Sequence, residues 1–431
     1  MDVTVESTGT LERSMRVELP LGPIEQQIDS RLQSVGRTAK MQGFRPGKVP
    51  AKVVRQRYGK QVREEVLSEV LQKSYTEAVT QQQLNPAGGP KIKTEDENGE
   101  TFTYTAVFEV MPEIALKDLE SIKVERPDVS IGDDDIDEMM TSLRKQKATW
   151  EEVERKSVDA DRVVIDFLGA LEGEAFPGGE GKEYPILLGA GQMLPDFEKG
   201  LIGVKAGDET SFKVKFPKDY HAEDLAGKKA DFEIKVHRVE EQILPELNDE
   251  FAESFNVADG GLEAFQRDVR ENMEREAKQK VTNDLREQAM NGLLETNPIE
   301  IPETLKHQEM HALQKEAMER LGVEDASQAP PLDNFAEGAK KRVALGLLLR
   351  QVIVDKELTV NQEMLKARVE ELCAGYEDSE DMVKMYLANP QVMQQVEPMV
   401  IEQQAVNWLI DNGKTKDKKV SFKEFMNAPA S

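Results

Sequence analysis

The chain has 431 residues and carries 56 Lys and Arg against 82 Asp and Glu, a formal net charge of -26. Taken whole, it is repelled by DNA and other nucleic acid and by anionic membrane. Its length implies about two to four domains, and its one cysteine, Cys373, excludes an intrachain disulfide and any cysteine-based zinc site, leaving a small apolar group on a helix. No apolar run approaches the roughly 18 residues of a membrane span. The opening "MDVTVESTGTLERSM" lacks the basic-then-apolar plan of a secretory signal, so the expected location is cytoplasmic.

Strand-like alternation comes first, at Val3 and Val5 and again at Met15, Val17 and Leu19. Helical spacing follows at Ile24, Ile28, Leu32 and Val35, and resumes at Val53, Val54, Tyr58, Val62, Val66 and Val70. Between these two helices lies "GFRPGKVP", residues 43–50, at the middle of an island with ten basic residues and no acidic one, from Arg31 to Arg63. Pro46 biases Arg45 toward extended geometry, Gly43 and Gly47 permit sharp turns, and Pro50 suits the first turn of the second helix. The segment is therefore the tip of a helix-loop-helix that pushes Phe44 and Arg45 outward. A phosphate-cradling loop is a poor match, because the glycine spacing is one short and Val49 follows Lys48. Two readings remain: a structural loop whose Phe folds back on its helices, and a docking tip whose cations meet phosphates while Phe44 enters a pocket or stacks on a base. The charge island favours docking. Phe102, Tyr104, Ala106, Phe108 and Val110 then alternate as a strand after the turn "DENGE".

The segment "GDDDIDEMMTSLRKQKATW" opens a helix with acidic residues and sets Ile136, Met140 and Leu143 on one face, as a rigid arm. Short strands and tight turns follow, in "VVIDFLGALEGEAF", "DETSFKVKFP" and "ADFEIKVHRVEE". This block is rich in aromatic residues for a chain that is only 6% aromatic. From Leu244 onward the pattern is that of long amphipathic helices. Leu262, Phe265, Val269, Met273, Ala277, Val281, Leu285, Ala289 and Leu293 form a stripe roughly 45 to 50 Å long at 1.5 Å per residue. Further helices are predicted at 303–320, 334–356, 362–376 and 390–411, with methionines such as Met310, Met385 and Met399 in or beside them. Methionine suits a surface that accepts many sequences, although ordinary core packing explains any single one more often. His307 and His311 share a helix face but lack the glutamate and third ligand of a zinc site, so no metal is expected. The basic tail "KTKDKKVSFKEF" reads as a solvated terminal segment.

The loop at 43–48, with "NPAGGP" at 85–90 and "FTYTAVFEVMPE" beyond it, resembles the ribosome-binding domain of the bacterial trigger factor family, and the resemblance runs along the whole chain. The family's Phe-Arg-Lys signature is here Phe44, Arg45 and Pro46. The aromatic block, above all "GAGQMLPDFEKGL", resembles an FKBP-type peptidyl-prolyl isomerase domain. The resemblance implies a multidomain α+β chain: a ribosome-docking domain at 1–111, a helical arm at 112–149, an inserted FKBP-like antiparallel β domain with a short helix at 150–243, and an all-α client-binding body at 244–431. It implies an isomerase wall of Phe167, Phe176, Tyr184, Met193, Leu194, Phe197, Tyr220, His221 and Phe232. Where small FKBP domains have an Asp after the residue matching Phe176, this chain has Pro177. Docking falls to Gly43, Phe44, Arg45, Pro46, Gly47 and Lys48.

The implied partners are the large ribosomal subunit near the peptide exit tunnel, through ribosomal protein and rRNA, and nascent and unfolded polypeptides; a homodimer off the ribosome is also open. No cofactor is implied, because rotation about a prolyl bond breaks no covalent bond. The expected function is a ribosome-associated chaperone with prolyl isomerase activity. The alternatives are a free cytosolic isomerase and an RNA-binding protein that uses the basic island.

Overall fold

The computed structural model describes residues 1–38, 44, 49–95, 100–171, 173–220, 222, 224–257, 260–323, 325–373 and 379–428. The chain forms two compact units, Met1–Arg126 with Asn283–Asp417 and Pro127–Thr282 with Lys418–Ala430.

Strands β1 (Asp2–Ser7) and β2 (Glu12–Pro20) precede helices α1 (Leu21–Thr38) and α2 (Ala51–Gln81), and β3 (Lys91–Thr94) and β4 (Thr101–Glu109) complete an antiparallel sheet of order β1-β2-β4-β3. Period-two alternation turns Met15, Val17, Tyr104 and Ala106 fully inward. Helical spacing brings Ile24, Ile28 and Leu32 of α1 and Val54, Val62 and Val66 of α2 onto the same core. The two helices approach closely where Gly36 faces Val54, since a Cβ there would lie 3.3 Å from the valine. Pro50 is the N-cap of α2, one residue earlier than its expected place inside the first turn. Of the expected turn at 96–100, residues 96–99 lie outside the described residues.

Strand β5 (Lys123–Ser130) leads to α3 (Asp133–Gln146), whose first turn holds Asp133, Asp134 and Asp135 and whose last holds Arg144 and Lys145, both complementing the helix dipole. Then come β6 (Thr149–Glu152), β7 (Arg162–Leu171), β8 (Glu174–Leu187), α4 (Pro195–Gly200), β9 (Glu209–Lys215) and β10 (Lys229–Ile243). Fifteen-residue β10 organises this antiparallel sheet, pairing with β6, β7 and β9, while β8 lies outside β7. Val163 and Ile165 of β7 and Phe232, Ile234 and Val236 of β10 face a core completed by Phe197 and Leu201 from α4 and the turn after it.

The remaining elements are α5 (Asp249–Glu253), α6 (Gly261–Thr296), α7 (Glu303–Leu321), α8 (Ala336–Asp355), α9 (Gln362–Cys373), α10 (Ser379–Leu387), α11 (Pro390–Asn412), β11 (Lys414–Ser421) and α12 (Phe422–Asn427). The predicted stripe along α6 is continuous but serves two cores. Phe265, Val269, Met273 and Ala277 pack with Ile136, Met140 and Phe251, whereas Ala289 and Leu293 pack with Leu348, Val352 and Leu409. Cys373 is buried among Leu365, Val369, Val396 and Val400.

The basic tail corrects the sequence reading. Lys414–Ser421 pairs with β5 as a strand, and Phe422 and Phe425 of α12 are only 8% and 7% exposed. Lys280 fixes that helix, its ammonium donating to the carbonyls of Phe425, Met426 and Ala428 at 2.7, 2.9 and 3.0 Å. A run of lysines hid two apolar anchors. Among the described residues, no helix is long and apolar enough to cross a membrane.

Candidate functional site

One face of the β7–β10 sheet carries an aromatic cluster. Phe167 leaves β7 two residues after Ile165 and therefore on the same face, and meets Phe197 of α4 edge-on with centroids 5.8 Å apart. Phe232 meets Phe197 at 5.1 Å and Phe176 at 6.0 Å, again near perpendicular. Phe216 continues the series to Tyr220 at 4.8 Å. Edge-to-face contacts of this kind fix ring orientation as well as burying area. Glycines make the close approach possible. A Cβ on Gly169 would sit 2.7 Å from Phe232 and 2.9 Å from Phe176, and one on Gly181 would collide with Phe167.

These rings wall a cavity of about 540 Å³. Seven of the nine expected wall residues line it: Phe167, Phe176, Met193, Leu194, Phe197, Tyr220 and Phe232. Tyr184 does not; it stands edge-on to Phe167 at 5.9 Å and is 48% exposed. His221 lies outside the described residues. Phe216, Val214 and Leu225 also line the cavity and were missing from the expected set, although Phe216, just past the end of β9, continues the alternation that points Val214 inward. No carboxylate, amine or imidazole is among the described lining residues.

A wider groove, about 980 Å³, crosses the same strands but is lined by charged groups including Asp166, Glu180, Lys182, Glu209 and Lys235. There the Asp166 carboxyl is held below its ordinary range, first by the N–H of Glu183 at 2.7 Å and then by His237 at 2.8 Å. A water-exposed, ionised lining cannot provide the dry enclosure of the aromatic cavity. Among the described residues no three His, Cys, Asp or Glu side chains converge to hold a metal. The rings of His307 and His311 lie 4.8 Å apart as an exposed pair.

At the tip between α1 and α2, Phe44 is 40% exposed. Gly43, Arg45, Pro46, Gly47 and Lys48 lie outside the described residues. The basic island is less uniform than its sequence. Arg31 pairs with Glu69 at 3.0 Å, Arg55 with Asp29 at 3.3 Å and Glu25 at 3.5 Å, and Arg63 with Glu25 at 2.5 Å. Among the described residues, Arg37 in the last turn of α1 and Lys52 in the first turn of α2 have no carboxylate within 4.0 Å. Among the described residues, Arg31, Arg55 and Arg63 of the island are thus neutralised, while Arg37 and Lys52, which flank residues 39–48 in sequence, are left open.

Residues 1–143 match the profile of bacterial trigger factor protein, residues 261–411 that of the bacterial trigger factor protein C-terminus, and residues 153–237 that of FKBP-type peptidyl-prolyl cis-trans isomerase. The trigger factor of Shewanella woodyi is 43% identical over 428 residues, covering 99% of both chains. That of Thioalkalivibrio sulfidiphilus is 44% identical over 428 residues, covering 99% of this chain and 98% of its own. A solved trigger factor chaperone aligns over 95% of this chain and 99% of its own at 20% identity, with a TM-score of 0.48.

The middle of the chain is therefore an FKBP-type peptidyl-prolyl cis-trans isomerase domain. The chain as a whole belongs to the bacterial trigger factor family, ribosome-associated chaperones of nascent chains. Membership implies binding to ribosomes and to nascent polypeptides.

Proposed function

We propose that the aromatic cavity is where this chain isomerises X-Pro bonds, that residues 43–48 dock it on the large ribosomal subunit near the exit tunnel, and that residues 244–431 hold unfolded segments of cytoplasmic clients. The observation that carries the isomerase assignment is the cavity lining: five aromatic rings, Phe167, Phe176, Phe197, Phe216 and Phe232, with Tyr220 at the edge of the cluster and no described ionised group. Rotation about a peptide bond faces about 18 to 20 kcal/mol because the C–N bond is partly double. Water favours the charge-separated resonance form that gives the bond this character. Seating the prolyl bond among apolar walls weakens that form, and a rigid wall can hold the twisted state better than either planar one. No nucleophile or leaving group takes part, so the residues need only enclose and orient. Phe197→Ala in the full chain, compared with wild type in a protease-coupled X-Pro assay, tests this; a folded variant with full activity overturns it.

The docking assignment is supported by the half-exposed Phe44 between two open cations, Arg37 and Lys52. Phosphate contacts position such a tip and an exposed ring gives it an apolar anchor. Phe44→Ala with Arg45→Ala is expected to abolish co-sedimentation with ribosomes while leaving isomerase activity intact, and wild-type binding is expected to weaken with added salt. Binding of naked RNA as tight as that of ribosomes would favour the RNA-binding reading instead.

A further inference from the structure

The residue after Phe197 on α4 is Glu198, a carboxylate only 9% exposed. Its two oxygens accept backbone hydrogen bonds from two ends of one loop: the N–H of Gly189 and the N–H of Met193, each at 3.2 Å. That loop joins β8 to α4, and its residues Gly191, Gln192 and Met193 line the cavity. Leu188 anchors the start of the loop, accepting from the Ala160 N–H at 3.0 Å and donating to the Asp161 carbonyl at 2.9 Å, and the Leu194 carbonyl at its other end accepts from Phe197 and Glu198, but residues 189–193 between them have few other backbone bonds. Gly189 and Gly191 have φ of +81° and +68°, where glycine has broad freedom and so supplies little rigidity of its own. The one other backbone bond within the loop is a long one, Ala190 N–H to the Leu187 carbonyl at 3.4 Å. Hydrogen bonds to a carboxylate are stronger than neutral ones, and a buried acceptor without them would cost heavily, so loop and carboxylate hold each other.

We propose that Glu198 is a positioning residue for prolyl isomerisation: its buried carboxylate clamps residues 189–193 and so presents Met193 and Gln192 to the prolyl bond in one fixed arrangement. The proposal rests on the assignment of the cavity as the isomerase site. A wall that tolerates movement of about 1 Å holds planar and twisted bonds alike, and its preference for the twisted state is lost. Glutamine matches the length of Glu198 but offers one acceptor oxygen and an NH₂ that cannot accept, so it keeps one end of the clamp and releases the other. Alanine releases both.

The test uses the full chain with Glu198→Gln, Glu198→Ala and Phe197→Ala, each checked for native near-ultraviolet circular dichroism. X-Pro isomerisation and amide exchange at residues 189 and 193 are then measured. Activity is expected to fall in the order wild type, Gln, Ala, with kcat/KM down about tenfold or more for Ala and the loss in kcat rather than KM. Exchange should quicken at one of the two amides in the Gln variant and at both in the Ala variant. Full activity in folded Glu198→Ala, or lost activity with unchanged exchange at 189 and 193, overturns the proposal. If Glu198→Ala does not fold, Glu198→Gln decides on the same two readouts. Should Phe197→Ala also retain full activity, the cavity assignment fails; if Phe197→Ala alone loses activity, only the clamp fails.

Discussion

The carboxylate of Glu109, at the end of β4, caps the helix that Thr304 helps to open. One oxygen accepts the N–H of Glu303 at 2.9 Å, and the other accepts the N–H and hydroxyl of Thr304 at 2.8 and 2.7 Å. Helix α7 needs a cap from elsewhere, because its own N-cap is Pro302, which makes no side-chain hydrogen bond. Gly88, from the "NPAGGP" turn, lies so close to the Thr304 methyl that a Cβ would not fit. Burial acts to raise the pKa of Glu109, but the hydrogen bonds from Thr304 and Glu303 outweigh it and hold the group below its ordinary 4.5.

Replacing Glu109 with alanine is expected to destabilise the unit by about 1 kcal/mol, the usual effect of losing a helix cap. A carboxyl with a lowered native pKa stabilises above its unfolded value and loses that contribution as pH falls through the native one. The gap in urea midpoint between wild type and Glu109→Ala should therefore be constant above about pH 5 and shrink below 4.5. A gap that stays constant to about pH 3 would contradict the cap.

Gly169→Ala is a test of the aromatic cluster that leaves every ring in place. The added methyl would press on Phe232 and Phe176, and strained overpacking of this kind costs about 1 to 3 kcal/mol. The variant is expected to fold with altered aromatic circular dichroism and clearly reduced X-Pro isomerisation. Unchanged activity would mean that ring placement is not limiting.

The tail can be tested by removing its anchors. Phe422→Ala should destabilise its unit by about 3 to 5 kcal/mol, as for other buried phenylalanines, and Phe425→Ala should act in the same direction. Lys280→Met keeps the apolar stem but removes the donor for three carbonyls, and should expose residues 422–428 to limited proteolysis. Resistance equal to wild type in all three variants would return the tail to a solvated segment.

The parts of the fold legible in the sequence are those with a strong local period. The stripes of α1, α2 and α6 and the alternation of β2, β4 and β10 each point their apolar residues to a core. What escaped depends on partners distant in sequence. Every residue of strand β11 is exposed except Val420, which is partly buried, so its pairing with β5 leaves almost no pattern to read. Acidic Glu25 and Glu69 lie outside the basic island yet neutralise three of its cations, because helices that pack side by side bring together residues far apart in order. The cavity was legible through the resemblance of the aromatic block to an FKBP-type domain, not through composition alone, and Phe216 could have been found from its alternation with Val214. Tyr184 could not have been excluded that way, since strand period fixes the face a residue occupies but not whether it reaches the cavity.

The place of α12 also bears on the order in which this chain is made. Lys423 bonds to Glu138 across 285 positions, and Phe422 packs with Ile136, Met140 and Phe265. At about 5 to 20 residues per second, roughly 15 to 60 s of translation separate the emergence of Ile136, Glu138 and Met140 from that of Phe422 and Lys423. For that interval Ile136 and Met140 lack the cover that Phe422 gives them, on a chain still being made. A protein that shelters unfinished chains is, late into its own synthesis, one of them.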